Sequence, residues 1–118
     1  MPVLPTVVET SAFRRKAEKL LSNEEYDDLL LYLSMYYMAG DEIPGTGGVR
    51  KLRYAAQGRG KSGGVRAIYY FFDERNPIYA MLLYGKNEQA DLSPDQKKYV
   101  TAVAAAAKTE AKARRKRT

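Results

Sequence analysis

Residues 49–85 read VRKLRYAAQGRGKSGGVRAIYYFFDERNPIYAMLLYG. Three β-capable runs lie in this stretch, and turns rich in glycine or containing proline separate them. Their order and spacing predict an antiparallel meander with strands at residues 49–55, 65–73 and 78–85. The middle run is almost wholly apolar and aromatic, which is typical of a central strand covered on both faces.

Helical patterns flank this meander on both sides. Thr10 or Ser11 can cap a first helix, and Ser22 with Glu25 forms a capping box for a second. A short strand precedes them at residues 4–8, and a last helix follows Ser93. The order β, αα, βββ, α predicts a single α+β domain. In it, a helical hairpin packs on a twisted, mainly antiparallel four-stranded sheet that is followed by a C-terminal helix.

Length and composition limit the possible functions. The 118 residues suffice for one domain, which we place at residues 1–110, followed by a basic tail at 111–118 that frays into solvent. The net charge of +6 favours a phosphate-bearing partner. Without cysteine or histidine, thiol chemistry and the commonest general base are excluded, and no metal site or cofactor is predicted. The sequence shows no membrane-spanning segment, so we expect a cytoplasmic protein.

Basic residues concentrate in the first part of the meander. Between Val49 and Arg66 there are six lysines or arginines and no carboxylate. Strand alternation places Lys51 and Arg53 on one face, and Arg66 opens the next strand. Cations that repel one another on a sheet predict an anion-binding site, and these three are the main catalytic candidates.

Further basic and polar residues are candidates for contact with an RNA backbone or its bases. Lys86 follows the third strand and joins the catalytic candidates. The binding candidates are the strand residue Arg50, the loop residues Arg59 and Lys61, and, at the end of the third strand, Asn87 and Tyr84, whose ring can stack on a base.

These residue types suit one reaction that needs no metal ion. In RNA cleavage by its own 2′-hydroxyl, a base removes the hydroxyl proton, cations stabilise the crowded phosphorane, and an acid protonates the departing 5′-oxygen. Lysine, arginine and tyrosine can supply these roles.

Three linked motifs resemble the RelE/HigB superfamily of bacterial type II toxins, most closely its HigB-like branch. They are IPGTGGVRKLR from Ile43, GRGKSGGVRAIYYFFDE from Gly58 and LLYGKNEQADLSPDQ from Leu82, within a likeness that covers residues 7–107. The resemblance implies a RelE-like fold and an mRNA interferase that cleaves the codon in the ribosomal A site. It also assigns the family's basic strand pair to Lys51 and Arg53, its strand-opening arginine to Arg66, and its Gly-Lys lysine to Lys86.

The resemblance also implies partners. They are a cognate antitoxin, the ribosome with its mRNA, and operator DNA through the antitoxin complex alone. Two departures from the family pattern concern the catalytic base and acid. Asn87 stands where well-known members have arginine, and no tyrosine lies between Glu88 and Lys98. Against this family pattern, Lys51 is the first choice for the base and Tyr99 a distant second.

Two other functions compete with the nuclease. A non-catalytic module would use the same basic sheet to bind RNA or the ribosome and block translation by occupancy. A DNA-binding regulator is disfavoured because no helix-turn-helix pattern is evident.

Overall fold

A computed structural model of the chain describes residues 4–55 and 64–117. Its elements follow the predicted order with one short strand added. They are β1 (Val7–Glu9), α1 (Ser11–Leu20), α2 (Asn23–Met35), β2 (Asp41–Glu42), β3 (Arg50–Tyr54), β4 (Val65–Tyr70), β5 (Ile78–Gly85) and α3 (Pro94–Arg117).

The helices begin where their cap residues predict. The Thr10 hydroxyl accepts a hydrogen bond from an amide in the first turn of α1. At α2, the Ser22 hydroxyl accepts from the Glu25 amide and the Glu25 carboxylate accepts from the Ser22 amide. Ser93 and Gln96 exchange the same two bonds at the start of α3. Each cap satisfies amides that the helix leaves unpaired and stabilises it by about 1 kcal/mol.

The described strands form one five-stranded sheet in the order β1-β5-β4-β3-β2. β1 runs parallel to β5, and the other neighbouring pairs are antiparallel. The apolar strand β4 lies at the centre, as predicted. The predicted count of four strands is wrong because residues 44–48 turn back and pair Asp41 with Lys51 and Glu42 with Arg50. Two residues are too few to show strand alternation in a sequence.

Helices cover both faces of the sheet and make two cores. On one face the hairpin α1–α2 buries Phe13, Leu29 and Leu33 against Leu52, Ala67, Tyr69 and Leu83. On the other face α3 buries Val100, Ala104 and Ala107 against Val49, Ile68, Tyr70, Met81 and Tyr84. Because β4 contributes to both cores, it is buried along almost its whole length.

The basic end of α3 is part of the fold. The helix runs without a break to Arg117, where a fraying tail was predicted from residue 111. Arg114 donates to the Asn76 side chain at 2.6 Å, and Arg115 pairs with Asp73 at 2.5 Å. These contacts join positions 38 and 42 residues apart, so the local pattern that suggested a tail contained no sign of them. Within the described ranges, no helix combines the length and apolarity needed to cross a bilayer.

Candidate functional site

Two neighbouring rows of side chains cross the α3 face of the sheet. Lys51 pairs with Ile68 in one row, while in the next Arg53 pairs with Arg66, which pairs in turn with Tyr84. These residues alternate with members of the hairpin-side core and therefore project toward the α3 side. Adjacent strands lie about 4.8 Å apart and successive rows about 7 Å apart. The three basic residues thus arise from a patch on the order of 10 Å across. Within it Lys51 and Arg53 share a face, as the alternation predicted.

Lys51 is held by a carboxylate from outside the sheet. Its Nζ lies 3.5 Å from Oδ1 of Asp91, in the loop between β5 and α3. The Lys51 side chain is 22% exposed and that of Asp91 is 86% exposed. A solvated pair of this kind contributes about 0–1 kcal/mol, so a competing anion can separate it.

Arg53 lies at an open edge of the sheet. β2 pairs only with the first two residues of β3, so the strand beyond them has no partner on that side among the described residues. Arg53, whose side chain is exposed, is also one of the residues at the rim of a groove of about 380 Å³ between this edge and α2. The other lining residues are Asp28, Leu31, Tyr32, Met35, Tyr36, Tyr54 and Ala55. Arg66, one strand further in, is half-buried.

Tyr84 is buried beside Arg66, with 2% of its surface exposed. The predicted stacking of its ring on a base is therefore wrong for this structure, because the ring packs in the core beneath α3. Burial raises the pKa of the Tyr84 hydroxyl, the Asp91 carboxylate raises it further, and the Arg66 guanidinium opposes both. Among the described residues, the hydroxyl has no hydrogen-bond partner.

Arg50 lies on the opposite face from Lys51 and Arg53. Its guanidinium donates to the carbonyls of Gly40 at 2.6 Å and Met38 at 3.3 Å, where the chain leaves α2. It also lies 3.7 Å from the Glu42 carboxylate. The structure does not bring this predicted RNA-binding residue to the cluster. Instead, Arg50 ties β3 to the end of the helical hairpin.

The turn after β5 presents the last group of predicted residues. Lys86 and Asn87 are exposed, and the Lys86 amide donates to the Gly64 carbonyl at 3.3 Å, beside the start of β4. Glu88 fixes the turn, since its carboxylate accepts from the Gly85 amide at 2.8 Å and pairs with Lys16 of α1. The Lys16 hydrogen bond, and after it the Gly85 amide, lower the pKa of Glu88.

Three candidates remain, and the structure describes one of them. Arg59 and Lys61 fall outside the described residues. Tyr99, the second choice for a base, is 41% exposed on α3, outside the buried stripe of that helix. In the part of the chain that the structure describes, no group of three or more acidic, histidine or cysteine side chains is placed to hold a metal ion.

A family model described as the RelE toxin of the RelE/RelB toxin-antitoxin system matches residues 7–117. The chain belongs to the RelE toxin family. It is thus a toxin of a toxin-antitoxin system, as the sequence motifs predicted. The HigB-like branch is not distinguished by this match and stays a prediction.

Solved structures agree with this RelE fold. A variant of E. coli toxin RelE with two arginines changed to alanine, in its free state, is 16% identical with a TM-score of 0.57, and the match covers 83% of this chain and 99% of the other. The toxin-antitoxin complex RelBE2 from Mycobacterium tuberculosis contains a chain 19% identical with a TM-score of 0.52. That match covers 70% of this chain and 99% of the other. Identities this low show the fold alone.

In this RelE-family toxin, sequence reasoning missed one member of the cluster. Asp91 stands in the turn-rich run after the third predicted strand, where it reads as an ordinary loop carboxylate. The structure places its side chain against Lys51, 40 positions earlier in the chain. The sequence did not single out Asp91, because Asp73, Glu74 and Glu88 all lie closer to the basic segment along the chain.

Proposed function

We propose that this toxin is a ribosome-dependent mRNA endoribonuclease that cleaves the A-site codon by metal-independent attack of the 2′-hydroxyl. The observation that supports this most is that Lys51, Arg53 and Arg66 lie on two adjacent strands, near an edge that has no further strand among the described residues. Rigid strands hold these cations at a fixed spacing, which suits the stabilisation of charge that develops on a phosphate. Membership of the RelE family supports the same choice.

The reaction assigns a role to each catalytic residue. The 2′-oxygen attacks the adjacent phosphorus as the bond from phosphorus to the 5′-oxygen breaks, which leaves a 2′,3′-cyclic phosphate and a 5′-hydroxyl. One proton passes from the 2′-hydroxyl to a base, for which Lys51 is the first choice, and another reaches the departing 5′-oxygen. Arg66 and Arg53 stabilise the phosphorane, and Lys86 binds a phosphate at the end of β5.

Contacts further from the reaction fix the toxin on the message and the ribosome. Asn87 lies in the exposed turn beside the cluster, while Arg59 and Lys61 belong to the basic segment between β3 and β4. Cations at such positions increase affinity for any RNA backbone and make binding fall as salt rises. We place this activity in the cytoplasm, where ribosomes translate.

We further propose that a cognate antitoxin covers the groove between α2 and the end of β3. The surface of α2 and the chain just after it expose Leu31, Met35, Tyr36 and Met38, each at 47–58%. Three of these line the groove that Arg53 also lines. A partner segment seated there would contact Arg53 at the edge of the cluster and could block the approach of RNA to it. Operator DNA would be bound by the resulting complex, not by the toxin alone.

Translation in vitro of one defined mRNA, followed by primer extension, tests the nuclease. The wild-type toxin should give breaks within A-site codons, and Arg66→Ala should reduce the cleavage rate by about 10²–10³, the usual loss for a transition-state donor. Arg15→Ala is the matched control, since Arg15 is an exposed arginine of α1 on the other side of the sheet.

Two results would contradict the proposal. Inhibited translation with intact message would favour the occupancy module. Equal cleavage by Arg66→Ala and Arg15→Ala would contradict the assignment of the catalytic site.

A binding assay with the product of the adjacent antitoxin reading frame tests the groove. Met35→Asp should weaken the complex at least about tenfold, because a charge would be buried against apolar groups. Leu20→Asp, at an exposed apolar residue of α1, should not. Equal affinities for the two variants would place the antitoxin elsewhere.

A further inference from the structure

The Tyr84 hydroxyl is a group that packing does not explain. It is buried and lacks a hydrogen-bond partner among the described residues, although its ring fills the core beneath α3. A buried hydroxyl without a partner costs about 1–3 kcal/mol, and phenylalanine would fill the same space without that cost. The position of the hydroxyl therefore calls for a functional explanation.

The surroundings of this hydroxyl favour a ligand that accepts hydrogen bonds. Tyr84 is the cross-strand neighbour of Arg66, so a phenol and a guanidinium lie side by side on the α3 face. A tyrosine hydroxyl is protonated at neutral pH, and burial raises its pKa further from that range. Two neighbouring groups that both donate can converge on the oxygens of one anion.

An anion from the chain itself already lies near this place. The Asp91 carboxylate pairs with Lys51 at 3.5 Å, and its charge also raises the pKa of the Tyr84 hydroxyl. It thus lies among the groups that the proposed function assigns to phosphate. Because Asp91 is 86% exposed and sits in a loop, the carboxylate can leave at little cost.

We propose that Asp91 is an internal anion that occupies the phosphate position beside Lys51. When RNA displaces it, its loop, whose Leu92 packs against the same core as Tyr84, moves and gives the Tyr84 hydroxyl to a phosphate oxygen. This inference rests on the proposed function, since it completes the phosphate site of the same cluster. Tyr84 would then contact the substrate as a donor. RNA would have to compete with the Asp91 carboxylate for Lys51 in order to bind at this site.

Binding of an RNA that cannot be cleaved separates this inference from the nuclease activity. The probe is a short single-stranded RNA with 2′-O-methyl groups, titrated without ribosomes at fixed low salt and followed by fluorescence anisotropy. Tyr84→Phe should weaken binding at least about tenfold, the usual effect of losing a hydrogen bond to a charged group. Asp91→Asn should tighten binding about two- to fivefold, which corresponds to release of an exposed ion pair.

Matched controls distinguish these effects from general changes. Asp95→Asn removes the same charge from an exposed side chain four residues away, in the first turn of α3. It should tighten binding less than Asp91→Asn does. Urea unfolding of Tyr84→Phe should show a midpoint no lower than that of the wild type, so that weaker binding is not due to loss of the fold.

Three results would overturn the inference. Unchanged binding by Tyr84→Phe would make Tyr84 a core residue only, and equal effects of Asp91→Asn and Asp95→Asn would show that Asp91 does not occupy the site. Absence of probe binding by the wild type at low salt would also overturn the inference. If the predicted binding changes occur but the toxin leaves mRNA intact on the ribosome, the phosphate site stands and the nuclease proposal fails.

Discussion

Replacing tyrosine with phenylalanine should affect stability differently at two positions of the sheet. Tyr69 and Tyr84 are both almost fully buried, with 0% and 2% exposure. The Tyr69 hydroxyl accepts a hydrogen bond from the Gly40 amide and donates one to the Tyr37 carbonyl, each at 2.9 Å. The Tyr84 hydroxyl has no such partner in the described part of the chain. Replacing each tyrosine with phenylalanine isolates the value of the hydroxyl.

The magnitude follows from the bonds that are lost. Tyr69→Phe removes two hydrogen bonds, each with a net value of about 1 kcal/mol, and leaves the buried Gly40 amide unpaired. We therefore expect a loss of about 2–3 kcal/mol in the free energy of unfolding. Tyr84→Phe removes a hydroxyl that pairs with nothing described, so stability should stay the same or rise by about 1 kcal/mol.

Urea unfolding followed by circular dichroism measures both variants. With a slope of about 1.5 kcal/mol/M, the midpoint of Tyr69→Phe should fall by about 1.3–2 M, while that of Tyr84→Phe should not fall. Equal losses in the two variants would refute the reasoning, because the hydroxyls would then differ in no way that matters to stability. A larger loss for Tyr84→Phe would mean that its hydroxyl has a partner in solution.

Three further predictions concern the ends and turns of the fold. Glu88→Gln should lower stability at neutral pH by up to about 1 kcal/mol, since it removes the pair with Lys16. Because the folded pKa of Glu88 is lowered, this difference from the wild type should shrink as pH falls below about 4.5, in urea titrations at several pH values. Gly64→Ala should cost clearly more than Gly47→Ala by thermal unfolding. Both glycines have positive φ. A Cβ added at Gly64 would lie 2.1 Å from the carbonyl oxygen of the last β3 residue, whereas a Cβ added at Gly47 would have no described atom within 4 Å. Deleting residues 112–118 should destabilise the protein by about 1–2 kcal/mol, because the contacts of Arg114 and Arg115 with the 73–76 turn are lost. If these residues were instead a frayed tail, the unfolding midpoint would not change.

Local sequence patterns predicted most of this fold because its elements carry their own signals. The Ser22 and Glu25 pair set the start of α2, and the apolar run of β4 marked the central strand. β2 was not predicted, because it consists of two residues whose pairing depends on the turn at 44–48. The parallel pairing of β1 with β5 joins Val7 to Ile78, so proximity in sequence gave no guide to it.

In the candidate site, too, the features that are local in sequence were predictable and those that depend on packing were not. Alternation correctly grouped Lys51 with Arg53, because a period of two residues is a local property of a strand. The contact of Asp91 with Lys51 and the burial of Tyr84 depend instead on where α3 and its preceding loop pack. Composition could show that cations were concentrated here, but it could not show which of them already had partners.

Arg50 shows why adjacent cations of one strand have different roles. A shift of one residue in the pairing of β3 would move every side chain to the opposite face, so Arg50 would replace Lys51 beneath α3. In the observed register Arg50 donates hydrogen bonds to the carbonyls of Gly40 and Met38, and a side chain moved to the other face would lose them. They hold the chain where Lys51 and Arg53 project on the α3 side. The residue that sequence reasoning assigned to RNA thus supports the candidate site from the other face of the sheet.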